Sequence, residues 1–299
     1  MIITKETNIL IVGLGLMGGS YARALSKQGY TVRAIAHKQE DIDYALQQGM
    51  ICQGAAFPDP QLITQADLTV FALYPQVFID WIRQYQPYFH SGALLTDVTG
   101  VKGDLVGTIQ DMLRQDLEFI PAHPMAGREV YGVRNSDERI FQGANYIVTP
   151  TPRNTPQAIA ACEQLGQILG FARISQLSPK EHDEMIAFVS QLTHCIAVSL
   201  MTCNDSDHLK QYTGDSFRDL TRIARINDAM WSELFLDNRE ALLRQMDLFS
   251  AEFLRLRDML ARQDREQMRE MMRRSTSAST VMTRSCPSSQ NLRQSLPLR

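Results

Sequence analysis

With 299 residues and a formal charge of −3 spread along its length, the chain is long enough for two cores and offers no basic surface for nucleic acid or an anionic membrane. No apolar run reaches the length of a membrane span, and an apolar strand begins by Ile9, which leaves no room for a signal peptide; a cytoplasmic protein is expected. The five cysteines lack Cys-x-x-Cys spacing, so they point to neither a zinc site nor a disulfide framework, and no metal is expected.

The first strand runs straight into Gly13-Leu14-Gly15-Leu16-Met17-Gly18, a Gly-x-Gly-x-x-Gly turn that opens a helix ending at Gly29. A second strand, 31–36, follows at the spacing of a strand–helix–strand unit. In that setting the turn reads as a dinucleotide cradle. Gly13 permits the tight turn, Gly15 lets the backbone approach a pyrophosphate beside Leu16 and Met17, and Gly18 lets helix and strand pack closely. An acid at the end of the second strand would accept bonds from the adenosine ribose hydroxyls, but Ala36 stands there, followed by His37 and Lys38. Two cations able to meet a 2′-phosphate favour NADP over NAD.

Strands 68–73, 93–97 and 118–122 alternate with helices up to residue 90 and over 102–114, and a late strand covers 145–149. That alternation calls for a mainly parallel sheet covered on both faces. Turn formers at 149–154 close a first domain, 1–152. Beyond them a helix over 155–169 ends at Gly170, and a short strand-like piece spans 172–177. Ser178-Pro179-Lys180-Glu181 then supplies an N-cap, a first-turn proline and a capping-box glutamate. The helix it starts runs to Cys203 and is apolar around much of its circumference, which calls for burial on more than one side. Helices over 216–224 and 228–259 complete an all-α domain, 153–274, whose apolar surplus suggests a homodimer. From Ser275 the chain is rich in Ser and Thr and poor in large apolar residues, so 275–299 is expected to be a disordered tail. The fold class expected is an α/β Rossmann-type dinucleotide-binding domain followed by an all-α dimerisation domain.

Candidate chemistry gathers at strand ends. His123, leading His123-Pro124-Met125-Ala126-Gly127-Arg128-Glu129, would emerge at a strand carboxyl end beside a nicotinamide. There it could take a proton from a hydroxyl whose carbon loses hydride. After the preceding strand, Asp97 and Thr99 could bond cofactor or substrate hydroxyls, and Lys102 lies in the first turn of the next helix; a helix cap explains Asp97 or Thr99 equally well. Ser190 and His194, four apart, share a helical face. Arg218, Arg222 and Arg225 are spaced i, i+4, i+7. Such stripes are usually solvated, but a small anionic substrate needs a clamp of this kind opposite the nicotinamide.

Taken in order, several of these words resemble the prephenate and arogenate dehydrogenases of tyrosine biosynthesis, over about residues 8–275. They are His123-Pro124-Met125-Ala126-Gly127 followed by Gly132, the loop from Asp97 through Val101-Lys102-Gly103, Phe217-Arg218-Asp219-Leu220-Thr221-Arg222-Ile223-Ala224, and Met230-Trp231. The resemblance implies oxidative decarboxylation of prephenate to 4-hydroxyphenylpyruvate and CO2 with reduction of NAD(P), or the same chemistry on arogenate. It implies that His123 bonds the ring hydroxyl, that Arg222 holds a substrate carboxylate and that His194 lines the pocket. Ser190 and Lys102 are then further substrate contacts, Thr99 joins the catalytic group, and Asp97 faces the cofactor.

Three departures stand out. Thr99-Gly100 replaces the family's usual Gly-Ser, Gln191-Leu192-Thr193-His194 keeps only the second histidine of the usual pair, and Ala36 replaces the usual acid. A β-hydroxyacid-type dehydrogenase would carry an Asn-x-x-Lys motif in the second domain, and none is present. A non-catalytic NADP sensor would have no use for His123 together with Arg222. Arogenate selectivity would need an acid near the substrate ammonium, for which Glu129 and Asp215 are candidates. Tyr131 rather than an acid precedes Gly132, which favours prephenate.

Overall fold

The computed structural model describes residues 1–128, 130–204 and 208–284. It divides into two units, the first from Met1 to Leu242 and the second from Leu243 onward. Within the first, β1 (Ile9–Val12) is followed by α1 (Leu16–Lys27), β2 (Val32–Ile35), α2 (Gln39–Gln47), β3 (Gln53–Ala55), α3 (Pro60–Thr64) and β4 (Leu68–Phe71). Then come α4 (Pro75–Tyr85), β5 (Leu94–Asp97), α5 (Gly103–Met112) and β6 (Glu118–Phe119). The six strands form one parallel sheet in the order β3-β2-β1-β4-β5-β6. Strand order reverses between β1 and β4, and in open α/β sheets the crevice at that reversal is where ligands bind. Ile9 and Ile11 enter the core that includes Tyr21 and Leu25, while Leu10 and Val12 enter the one that includes Phe71, Phe78 and Trp81. A two-residue side-chain period feeds both faces of a sheet covered on both sides, as the sequence led us to expect.

The strand expected at 118–122 divides. Ile120 and Pro121 interrupt it, and the chain re-forms as β7 (Ala122–Met125), antiparallel to β8 (Asn145–Val148), which pairs in parallel with β9 (Arg173–Gln176). His123 therefore lies inside a strand of a second, three-stranded sheet, opposite Ile147, instead of at the carboxyl end of a parallel strand. The helix α6 (Pro156–Leu169) sends Ala158, Ala161, Cys162, Leu165 and Leu169 into the same core as Ile9 and Tyr21. Residues 153–177, assigned from their helical period to the second domain, thus pack with the first. Period identifies an apolar face but not the core that receives it.

The helical part begins with α7 (Pro179–Ile186), where the expected capping box forms: Ser178 accepts from the Glu181 amide and Glu181 reaches back to the Ser178 amide. A π-helical turn, Ala187–Leu192, leads into α8 (Thr193–Thr202). This Pro179–Thr202 run is, against expectation, long and apolar enough by length and composition to cross a membrane. Yet it carries buried His182, Asp183 and Gln191, all hydrogen-bonded within the protein. Next come α9 (Leu209–Tyr212), α10 (Asp215–Thr221), a 3-10 turn Arg222–Ala224, and α11 (Asp228–Asp237). The single helix expected over 228–259 breaks at Asn238. Its side-chain amide donates to the Asp183 carbonyl and to Gln191 Oε1, an arrangement a continuing helix would not provide.

The second unit holds most of α12 (Arg239–Ala261) and all of α13 (Arg265–Arg284), with Leu248, Phe253, Leu254 and Leu260 exposed. Residues 275–284, expected to be structureless, continue α13. Thr276 and Ser277 bond back to the carbonyls of Met272 and Arg273, so hydroxyls counted as disorder-promoting are accommodated by a helix already nucleated upstream. The remainder of the expected tail, 285–299, lies outside the described residues.

Candidate active site

The glycine turn passes a steric test for a dinucleotide. Gly13 has φ +100°, and a Cβ there would meet the Ala72 carbonyl oxygen at 2.4 Å; a Cβ on Gly18 would sit 1.8 Å from the Gly13 oxygen. Nothing lies within 4 Å of a Cβ added at Gly15, so that glycine faces open space. No side chain caps the start of α1, which leaves its first amides pointing outward for an anion. Gly15, Leu16, Met17 and Gly18 line a cavity of about 520 Å³. His37 and Lys38 are exposed just after β2 and lie outside its wall; Lys38 Nζ is 3.8 Å from Glu40 Oε1.

His123 lines the same cavity together with its β7 neighbours Pro124 and Met125. Its Nδ1 is 2.9 Å from His182 Nε2, and His182 Nδ1 is 2.7 Å from Asp183 Oδ1. Asp183 also accepts the backbone amides of Lys102 at 2.9 Å and Gly103 at 2.5 Å, where α5 begins. Burial, then neighbouring His182 and Lys102, holds the His123 imidazole well below its ordinary pKa of 6.5. Burial likewise lowers that of His182, against the opposing pull of Asp183.

Lys102 and Asp97 are not where the sequence reading put them. Both side chains are wholly buried, and Lys102 Nζ donates to Asp97 Oδ2 at 2.7 Å, to the Ala122 carbonyl at 2.6 Å and to Thr99 Oγ1 at 3.1 Å. Asp97 Oδ1 accepts the Ala122 amide at 3.0 Å. Neither group lines the cavity, because the Lys102 donors are satisfied by Asp97 and Thr99 in the loop and by the Ala122 carbonyl in β7. Thr99 touches the cavity, but its hydroxyl is engaged with Asp97 Oδ2 and Lys102. At Gly100 an added Cβ would lie 3.8 Å from His123 Nε2, which places that ring nitrogen across a narrow open space.

Ser190 and His194 both line the cavity, His194 Nδ1 donating to the Ser190 carbonyl at 2.9 Å. The His194 ring lies against Trp231, with centroids 3.8 Å apart and planes tilted 31°. The arginine stripe does not survive. Helix α10 ends at Thr221, the 3-10 turn changes the angular step, and Arg225 has left helical geometry with ψ 86°. Arg218 pairs with Asp215, Arg222 is exposed and outside the wall, and Arg225 lines it beside Ile223 and Ile226. Arg128, ion-paired to Asp137 at 3.2 Å, adds a second cation to the rim. Of the two candidate acids, Asp215 is outside the wall, and Glu129 lies outside the described residues.

Comparison with known proteins agrees with this geometry. A family model described as the prephenate dehydrogenase nucleotide-binding domain matches residues 21–172, and one described as the prephenate dehydrogenase dimerization domain matches 178–274. The chain belongs to the prephenate dehydrogenase family. A prephenate dehydrogenase of Bacillus subtilis is 31% identical over 277 residues, 88% of this chain and 72% of that protein. A cyclohexadienyl dehydrogenase of Zymomonas mobilis is 29% identical over 92% of this chain and 96% of its own. Among solved structures, prephenate dehydrogenase from A. aeolicus in complex with hydroxyphenyl propionate and NAD+ superposes with a TM-score of 0.85 at 26% identity, covering 92% of this chain and 98% of that one.

The division of the prephenate dehydrogenase models between residues 172 and 178 coincides with the packing of α6 and β9 on the nucleotide-binding side. His182 and Asp183 are the site residues that the sequence did not announce. They follow a capping-box glutamate in the first turns of a helix, where polar residues are ordinarily solvated. The signal available was that an adjacent His-Asp pair opens an otherwise apolar helix.

Proposed function

We propose that this protein oxidatively decarboxylates prephenate to 4-hydroxyphenylpyruvate and CO2, reducing NADP in preference to NAD, as a cytoplasmic homodimer. The observation that carries the reading is that one cavity joins the dinucleotide-type glycine turn, the imidazole of His123, whose pKa burial lowers, and the side chains of Arg128 and Arg225. The dinucleotide, when bound, supplies the hydride acceptor. Gly13, Gly15, Leu16, Met17 and Gly18 would hold its pyrophosphate, and His37 and Lys38 a 2′-phosphate. His123 accepts the proton of the ring hydroxyl as hydride leaves the carbon that bears it. The ring carboxylate departs as CO2, the electrons of its C–C bond complete the aromatic ring, and His123 returns its proton to the phenolate oxygen. Arg225 and Arg222 are assigned to the substrate carboxylates, and Ser190 and His194 to the wall that orients the ring. Thr99, Asp97 and Lys102 support the site from within the protein instead of touching the ligands.

Prephenate is favoured over arogenate because, among the described residues, cations and no carboxylates line the cavity. The exposed apolar residues of α12, together with a segment matched by a dimerization-domain model, support the homodimer. The test is purified protein with prephenate or arogenate and either dinucleotide, following dinucleotide reduction and 4-hydroxyphenylpyruvate together. Higher kcat/KM on prephenate with NADP is expected, and Ala36→Asp should shift the preference toward NAD. No reduction with prephenate overturns the assignment; faster turnover of arogenate transfers it to that substrate.

A further inference from the structure

We infer that His182 and Asp183 are positioning residues that hold His123 in the single tautomer a general base requires, an assignment that rests on the reaction proposed above. Asp183 is the fixed point. Its two oxygens accept the Lys102 and Gly103 amides, so the carboxylate is an acceptor with no proton to offer, and His182 Nδ1 at 2.7 Å must be the donor. A neutral His182 then carries its one proton on Nδ1 and presents a lone pair at Nε2. His123 Nδ1, 2.9 Å away, must donate to it. The remaining nitrogen of His123, Nε2, faces the open space beside Gly100 with its lone pair free to accept the substrate proton.

The alternative arrangement needs a doubly protonated His182. Its side chain is wholly buried, and the Lys102 ammonium lies within the same cluster, so a second cation is disfavoured there. When His123 takes the proton, its Nδ1–H is already directed at an acceptor backed by a carboxylate, and the new positive charge is stabilised without rearrangement. The logic is that of a hydrolase triad with one extra imidazole between carboxylate and base. Its members come from both matched segments, His123 from the nucleotide-binding one and His182-Asp183 from the dimerization one. Correct seating of α7 is thereby a condition for a competent base.

The test combines imidazole 15N spectroscopy with kinetics on the full chain. In the wild type, His123 should show a protonated Nδ1 and an unprotonated Nε2. His182→Leu, which removes the acceptor, should give mixed tautomers and lower kcat by about 10²–10⁴-fold, while KM for prephenate and Kd for the dinucleotide stay near wild type. His182→Gln, whose amide can accept from one side and donate to the other, should restore the tautomer and most of kcat. A wild-type His123 protonated at Nε2 overturns the inference, as does a His182→Leu enzyme with wild-type kcat. Should His182→Leu fail to fold, a His182→Gln variant with mixed tautomers overturns it equally. Absence of prephenate turnover in the wild type defeats the reaction assignment but leaves the tautomer measurement to decide the relay.

Discussion

Lys102 Nζ lies 2.7 Å from Asp97 Oδ2, with both side chains wholly excluded from solvent. A buried pair of this kind is costly to desolvate, and its value lies in what it holds: the Lys102 ammonium also binds the Ala122 carbonyl, immediately before His123. Lys102→Met should leave Asp97 buried and unpaired and cost about 3–5 kcal/mol in urea unfolding, with activity lost as the His123 strand loosens. Were Lys102 a direct substrate contact instead, KM would rise with stability unchanged.

His123 should remain a neutral base well into acid. Because burial, His182 and Lys102 depress its pKa below 6.5, its uncharged form persists as pH falls, and Asp97 and Asp183 nearby do not reverse that direction. The acid limb of the kcat profile should therefore lie below the ordinary histidine range, and His123→Asn should lower kcat by about 10²–10⁴-fold with dinucleotide Kd unchanged. An acid limb at or above pH 6.5 would contradict the electrostatic reading.

Gly100 is a place where the resemblance and the geometry can be tested together. The atoms nearest a Cβ there are Leu234 Cδ1 at 3.7 Å and His123 Nε2 and Leu234 Cδ2, each at 3.8 Å, all ordinary contacts. Gly100→Ser should fold with stability within about 1 kcal/mol of wild type. Its hydroxyl would enter the space in front of Nε2 and should raise kcat/KM for prephenate by a factor of about 2–10, the worth of one hydrogen bond. A fall in kcat/KM would mean the substrate already fills that space.

For the carboxylates, alanine at either Arg222 or Arg225 should raise KM for prephenate by about tenfold or more, while Kd for the dinucleotide hardly moves. The wall position of Arg225 and the motif position of Arg222 are independent grounds for the two. Wild-type KM in Arg222→Ala would assign the role to Arg225 alone. Unchanged KM in both variants would remove this turn from the substrate site.

Much of the molecule is legible in local chemistry. The glycine spacing, the apolar strand before it and the capping box at Ser178 each act over a few residues, so they mark the start of α1 and the start of α7 without tertiary information. His123 is legible as a candidate for the same reason, as one histidine in a tightly turned word. What a side chain faces, however, depends on which partner arrives from elsewhere in the chain. Asp97, Thr99 and Lys102 look like ligand contacts in sequence and become an interior network because the Ala122 backbone and the Asp183 carboxylate close over them. Evenly spaced arginines lose their stripe where a helix becomes a 3-10 turn, and α6 joins the first core because β8 and β9 pair. The sequence by itself determined the glycine turn that opens α1, the alternation of strands and helices and the candidate base. Only the tertiary structure, through burial and contacts between residues dozens of positions apart, decided which polar groups line the cavity and that His182 and Asp183 stand behind His123.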